Sequence, residues 1–504
     1  MKYFRPVFRC EIEGAAETQW VASGKDVKVD AAIVTTPEDV SGYRIKASPR
    51  LVDRWLDVTV RVAGSAPVFL FIIAGLLTWA LMGIRFGNSD VWVAAISDVQ
   101  AILCYVFDSF LMRQLLREYS EQRAAIVEIQ SRCNSNQRMI ASVKKRLGAE
   151  GIRRVAEKCN NESLKPLDHG LRTQGLFARC IIVSAKTFGH VVSGGLYWVC
   201  IFIWLGFGPH CSWSNRWQLY INDATSALMV LVFAFLACLR ECYADYTNTC
   251  LDAIFRLDST LEKELRRLSE DDLPNEMEVM LPPKENLLQV VIFYYADIVG
   301  TLVGMIFLVL VIITWAAVGP VFHFNSNWWL LIGTYAGLVG LFDSFVLRNI
   351  QGKVHQYINR QIRIVEKGDL GLFAGLSMAI PSTSSTKRPS LSQRVSRWMD
   401  AVSSHLFMVI AGFFLTIGCL VASSAMKWSL TGQLISNVPP SIVETFFMLI
   451  LITGQNDAEA SAHIDFANIY YRRQRLLSFM QHAKELCEEQ ELSKDAVVPA
   501  VPAQ

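Results

Sequence analysis

The 504 residues are 52% hydrophobic and only 19% charged, with a mean hydropathy of +0.30. That is too apolar for a soluble multidomain chain of this size. A net charge of +2, from 48 Lys and Arg against 46 Asp and Glu, excludes a bulk attraction to nucleic acid or other acidic polymers. The 12 cysteines form no CxxC pair and no zinc-site spacing, which argues against a disulfide scaffold or a zinc ribbon.

Taken in chain order, residues 1–53 are polar, of mixed charge, and hold no apolar core of signal-peptide type, so the first span is expected to act as the insertion signal. Apolar runs long enough to cross about 30 Å of hydrocarbon follow at 66–86, 91–111, 183–206, 220–240, 298–318, 328–348, 404–424 and 438–454. They fall into four hairpins with short connections on one side and long polar stretches at 112–182, 241–297 and 349–403 on the other. The expected fold class is therefore an all-α integral membrane protein with eight transmembrane helices as four repeated hairpins. The long connections carry apolar residues at helical spacing, so the even-numbered helices are expected to be extended into the cytoplasm.

Lys and Arg resist translocation and collect on the cytoplasmic side. Placing both termini and the three long connections there gathers 44 of the 48 basic residues; Arg85, Arg216 and Lys427 fall on the opposite side, and Lys186 lies near the cytoplasmic end of the third span. The predicted division is an N-terminal segment at 1–53, a first hairpin unit at 54–146, a connection at 147–178 and a second unit at 179–270. A linker at 271–285, a third unit at 286–370, a Ser/Thr/Pro-rich linker at 371–393, a fourth unit at 394–487 and a tail at 488–504 complete it. Within that linker, Pro381–Ser392 reads as a tether that could also take phosphate.

The hairpins repeat one another. The first reads Ala63-Gly64-Ser65, Thr78-Trp79-Ala80, Gly83, Trp92 and Phe107-Asp108-Ser109-Phe110; the third reads Val299-Gly300-Thr301, Thr314-Trp315-Ala316, Gly319, Trp328 and Phe342-Asp343-Ser344-Phe345. The second keeps Gly189, Trp204, Gly208 and Trp217. The fourth shares Trp428-Ser429, Gln433-Leu434 and Asn437 with the second, has Gly432 in place of Trp217, and its Arg397-Trp398-Met399-Asp400 echoes Arg54-Trp55-Leu56-Asp57. A Gly after a Trp suits a tight turn, and Trp in a short outer loop suits the headgroup layer. Four similar hairpins oriented alike can surround a common axis.

These residues resemble the fungal low-affinity iron permeases. The resemblance rests on Phe86-Gly87-Asn88-Ser89-Asp90-Val91-Trp92, on Cys104 to Gln114, on Trp213 to Asp223, and on Trp428 to Leu434, and it covers the chain from about Arg54 to Arg475. It implies low-affinity uptake of Fe²⁺ across the plasma membrane, with Zn²⁺, Cu²⁺ and Cd²⁺ as companions. It brings no ligand motif that carries over residue by residue.

A cation crossing in this way needs oxygen or nitrogen donors that replace water yet release it again. Ionisable residues within the spans are the candidates, because each is costly in hydrocarbon. Asp108 and Asp343 occupy matched positions and could form part of an acidic ring near the cytoplasmic mouth, or pair with Arg113 and Arg348. Asp98 and Asp223 lie six residues after Trp92 and Trp217, as an outer acidic vestibule or as ordinary surface groups. His190 and His405 share one repeat position, where the other hairpins have Ser65 and Thr301; imidazole is a borderline ligand for Fe²⁺ and Zn²⁺, and equally a satisfied polar residue. Lys186, one turn before His190, would repel a bound cation. Glu444 follows Pro439-Pro440, which would break the helix start and leave carbonyls free beside the carboxylate. Cys104, Cys200, Cys238 and Cys419 read as small packing residues.

No phosphate loop, GxSxG or HExxH appears, so no enzymatic activity and no cofactor are expected. The expected partners are a divalent metal ion as substrate and the lipid bilayer, with no nucleic acid; a homo-oligomer is left open. The rivals to a transporter are a signalling membrane receptor, favoured by the long inner helices, and a scaffold whose hairpins pack without a pore.

Overall fold

A computed structural model describes residues 7–20, 41–45, 51–87, 90–167, 175–324, 326–381 and 391–495. Most of the Pro381–Ser392 tether and the end of the tail lie outside these residues. The described part is helical, apart from one short antiparallel pair. Strand β1 (Ile12–Gly14) pairs with β2 (Glu278–Met280) in the register Ile12↔Met280.

Four long helices form the centre: α3 (Asp90–Asn160), α6 (Asn215–Ser269), α9 (Ser326–Gly375) and α13 (Val438–Asp495). At 1.5 Å per residue the part of α3 from Asp90 to its break at Gly148 extends roughly 85 Å, far beyond what a bilayer requires. It runs apolar in its first part and amphipathic afterwards, as the sequence pattern led one to expect. The helix also continues past the expected boundary at 146, breaking at Gly148 (φ 67°) and resuming to Asn160. Around the ring, α3 packs on α6, α6 on α13, α13 on α9 and α9 on α3.

Each long helix is preceded by a shorter pair that bends where the sequence carries its repeated Gly or Ser. The pairs are α1 (Leu51–Ala63) with α2 (Ala66–Phe86), α4 (Leu176–Phe188) with α5 (Val191–Gly206), α7 (Leu287–Val299) with α8 (Leu302–Val318), and α10 (Leu391–Ser403) with α11 (Leu406–Ala425). The bends in the second and third pairs are 61° and 64°. The stretches expected as single spans at 183–206 and 298–318 are thus broken. Residues Ser65, His190, Thr301 and His405 are the N-caps that restart the helix after each break. The first members present exposed apolar residues such as Trp55 and Trp398 beside charged ones, the composition of a helix lying in the headgroup layer. Of the second members, α2 packs on α6, α5 on α13, α8 on α3 and α11 on α9.

By length and apolarity six described helices qualify to cross a membrane, or eight when each strongly bent pair is taken as one span. Helices α2 and α11 expose most of their apolar surface, as a lipid-facing helix does, whereas the long helices are largely buried. The chain is an all-α integral membrane protein.

The short turns joining each pair to its long helix share one construction. Trp79 stacks on Trp92 (4.5 Å, 3°), Trp204 on Trp217 (3.9 Å, 5°) and Trp315 on Trp328 (4.3 Å, 4°). In the first and third the indole N–H groups each donate to the other's carbonyl, at 3.3 and 3.1 Å and at 3.1 and 2.8 Å. A Cβ at Gly83 would sit 2.5 Å from the Trp92 ring, so the stack requires glycine there. The repeated Trp residues thus fasten the two arms together. In the fourth turn, where Gly432 replaces Trp, Ser423 instead donates to the Gly432 carbonyl (2.6 Å) and hydrogen-bonds Ser436. Consecutive left-handed residues recur at Ser212-Trp213, His323-Phe324 and Lys427-Trp428.

Beyond the apolar stretches the bundle is clamped by the N-terminal segment. Phe8 is buried between Tyr119 (4.6 Å) and Phe293 (4.2 Å), and Arg123 donates to the Val7 and Cys10 carbonyls. The segment expected to be merely polar is therefore partly built into the core.

Candidate functional site

Three of the four long helices each send one carboxylate into the centre of the apolar region. Asp108 on α3, Asp343 on α9 and Glu444 on α13 are 2%, 2% and 1% exposed. Asp108 feels the charges of both Glu444 and Asp343, and Glu444 that of Asp343, so the three form one electrostatic group. Space for Glu444 comes from Gly340 on α9, where a Cβ would lie 2.6 Å from its Oε1. The two aspartates matched by the repeat are thus brought together, with Glu444 between their helices.

The group lacks the counter-ions expected as the alternative. Arg113 pairs with Asp57 at 2.8 Å and Arg348 with Asp400, so the repeat's arginines tie the long helices to α1 and α10. Both oxygens of Asp108 and the Oε1 of Glu444 are buried without a hydrogen-bond partner; Asp343 accepts from the Tyr295 hydroxyl at 2.5 Å. The expected release of carbonyls by Pro439-Pro440 is corrected: the prolines occupy the first turn of α13, which their fixed φ suits, and the Ser441 hydroxyl takes the Asn437 carbonyl at 2.5 Å. Buried acids this close carry a high cost when ionised, which a cation among them would offset.

Toward the short turns, Asp98 on α3 and Asp223 on α6 are buried, and each keeps one unpartnered oxygen. Asn222 donates to Ser97 (3.0 Å) and Ser226 to Gln100 (3.2 Å), so a polar seam between α3 and α6 leads from these acids inward. His190 and His405 stand apart. Both are exposed, and each Nδ1 accepts a backbone N–H, from Val192 (3.3 Å) and Phe407 (3.2 Å). Their shared repeat position is that of a helix cap, which Ser65 and Thr301 occupy in the other units.

Beyond the apolar region lies a cavity of about 30 Å³, lined by Glu118, Glu121, Tyr243, Thr247, Gln455 and Glu459 among others. Burial pushes Glu118 up to about 7 despite Arg240 and Arg117 nearby, with Glu241 and Glu121 adding to the rise. Burial and then the charge of Glu118 push Glu459 up to about 8, against a hydrogen bond from Thr247. The sequence pointed to neither acid, because among the many charges of the long helices nothing distinguishes one facing the axis. Tyr295 was missed for the same reason, as one aromatic in an apolar run.

Further along, the axis is closed. Arg473, fully buried, lies 3.0 Å from Asp258 and 2.7 Å from Asp369, and Glu262 holds Arg266 at 3.0 Å and Arg132 at 3.4 Å. An apolar cluster including Met139, Leu261, Phe373 and Phe479 follows. Among the described residues, no group of three or more His, Cys, Asp or Glu is arranged to hold a metal ion.

The profile of a family described as "Low affinity iron permease" matches residues 291–365 and 392–495. The chain is 30% identical over 487 residues to the "Low-affinity iron/zinc ion transport protein fet4" of Schizosaccharomyces pombe, covering 92% of this chain and 82% of that one. It is 30% identical over 463 residues to the "Low-affinity Fe(2+) transport protein" of Saccharomyces cerevisiae, covering 86% and 84%. No solved structure matches.

Proposed function

Since this chain belongs to the low-affinity iron permease family, we propose that it carries Fe²⁺, with Zn²⁺ as a second substrate, through the centre of its four long helices at low affinity. The observation that carries this reading is the group of Asp108, Asp343 and Glu444, three buried carboxylates whose charges act on one another, with no arginine or lysine paired to them among the described residues. Oxygen donors suit Fe²⁺ and, less selectively, Zn²⁺, Cu²⁺ and Cd²⁺. A site without a tight chelate lets the ion leave.

The repeat and the packing support eight crossings in four hairpins, at 54–146, 179–270, 286–370 and 394–487. In this arrangement each outer span leans on the neighbouring unit's long helix. The concentration of basic residues supports termini in the cytoplasm, with the potential of the plasma membrane as the driving force. An inside-negative potential contributes about 2.3 kcal/mol per charge per 100 mV, and twice that for a divalent ion. Asp98 and Asp223 gather cations at the outer end, and the three central acids replace their water. Membership in a permease family sets the receptor and scaffold readings aside.

The test is uptake of radioactive Fe²⁺ at micromolar concentration in cells lacking their own iron importers, with and without this protein. A gain that saturates at high concentration and is competed by Zn²⁺ is expected. No gain from a correctly localised protein would overturn the reading.

A further inference from the structure

The central axis cannot be the way out. Beyond the 30 Å³ cavity, the four long helices close over apolar side chains that include Ile254, Ile358 and Phe466. The buried Arg473 with Asp258 and Asp369 follows. A divalent cation descending there meets first a layer without donors and then a fixed guanidinium that both acids already neutralise.

A second opening lies to the side. A cavity of about 450 Å³ sits between α6 and α13 beneath the α4/α5 elbow, lined by Lys186, His190, Tyr243, Asp457, Glu459 and His463 among others. Tyr243 and Glu459 line both cavities. Those two residues therefore stand where the cavities meet. The Tyr243 hydroxyl donates to Asn456 Oδ1 at 2.9 Å, and Asn456 Nδ2 donates to the Ala185 carbonyl on α4 at 2.7 Å. Rotation of those two side chains, with no movement of a helix, would join the spaces. The lateral cavity carries Asp457 and Glu459 against one Lys186, with two imidazoles between them, a donor set that attracts a cation without retaining it.

Resting on the transport reading above, we propose that the metal ion leaves sideways, between α6 and α13, with Glu459 passing it from the 30 Å³ cavity to the lateral one and the Tyr243–Asn456 hydrogen bond closing the door between them. This gives the α4/α5 elbow a part in transport through position: Gly189 and His190 line the exit.

Ala460 lines the lateral cavity and takes no part in the sites described above. Ala460→Trp, which fills that cavity, is expected to lower Fe²⁺ uptake at least fivefold in cells lacking other importers, at unchanged surface abundance and melting temperature. Ala460→Cys provides the same answer if the larger side chain disturbs folding. In inside-out vesicles a positively charged thiol reagent should slow its transport at least fivefold more than that of the unsubstituted protein, and Fe²⁺ should retard the labelling. Complete labelling of Ala460→Cys, shown by mass, with undiminished transport would overturn the lateral route. Absence of Fe²⁺ uptake by the unsubstituted protein would instead remove the transport reading itself.

Discussion

The same four helices bury two groups of acids, and they treat them in opposite ways. Asp258, Asp369 and Glu262 are each held by arginines at 2.7 to 3.4 Å, in a region walled by Phe373 and Phe479. Asp108, Asp343 and Glu444 are as deeply buried, yet the nearest repeat arginines turn away to Asp57 and Asp400. A buried acid with a fixed counter-ion locks helices together; one without is expensive unless a mobile cation or proton visits it. On the reading proposed above, the first group is a seal and the second a passage.

That contrast can be broken first at the seal. Arg473→Met leaves Asp258 and Asp369 buried without their shared partner and is expected to cost about 3–5 kcal/mol. Thermal melting of the detergent-solubilised protein should show a large drop, with transport falling only as far as folded protein does. A transport loss at unchanged stability would mean that the seal belongs to the passage.

A smaller effect is expected from pH at the acids between the two groups. Glu118 and Glu459, pushed up to about 7 and 8, hold protons in the fold that the unfolded chain has released above about 4.5. Their contribution to stability is therefore full below that value and lost as pH rises through 7 to 8. Melting temperature should decline from pH 5.5 to 8.5, and Glu118→Gln with Glu459→Gln should flatten the decline. An equally steep decline in the double variant would place the effect elsewhere.

The smallest change sharpens the comparison by its near absence. His405→Ser keeps an N-cap oxygen in place of the imidazole nitrogen, and its stability should shift by less than about 1 kcal/mol. Fe²⁺ transport at equal abundance should stay as it was. A selective loss of transport would restore a metal role to the histidine.

Much of this was legible in the sequence, and for definite reasons. Apolar runs are long-range averages, so the long helices emerged from composition, and their extensions from apolar residues at helical spacing. The repeat paired Asp108 with Asp343 because equivalent positions on equivalent helices face the same axis. The breaks at Gly189 and Gly300 were not legible, since an apolar run reads alike whether straight or bent by 61° or 64°. At His190 and His405 the shared repeat position is that of a helix cap, a local backbone need that Ser and Thr meet equally well. Glu118 and Glu459 stayed hidden because a charge facing an internal cavity has the same local sequence as one facing water.

The most direct measurement uses purified protein in liposomes with an inside-negative potassium diffusion potential and a trapped dye quenched by Fe²⁺. The unsubstituted protein should admit Fe²⁺ at a rate that rises with the imposed potential. Asp108→Asn, Asp343→Asn and Glu444→Gln together should slow the influx at least roughly tenfold, a barrier change of about 1.4 kcal/mol or more, while the melting temperature stays the same or rises. A triple variant that admits Fe²⁺ at the original rate, or loses transport only in step with folded protein, would contradict the assignment of these three carboxylates to the passage.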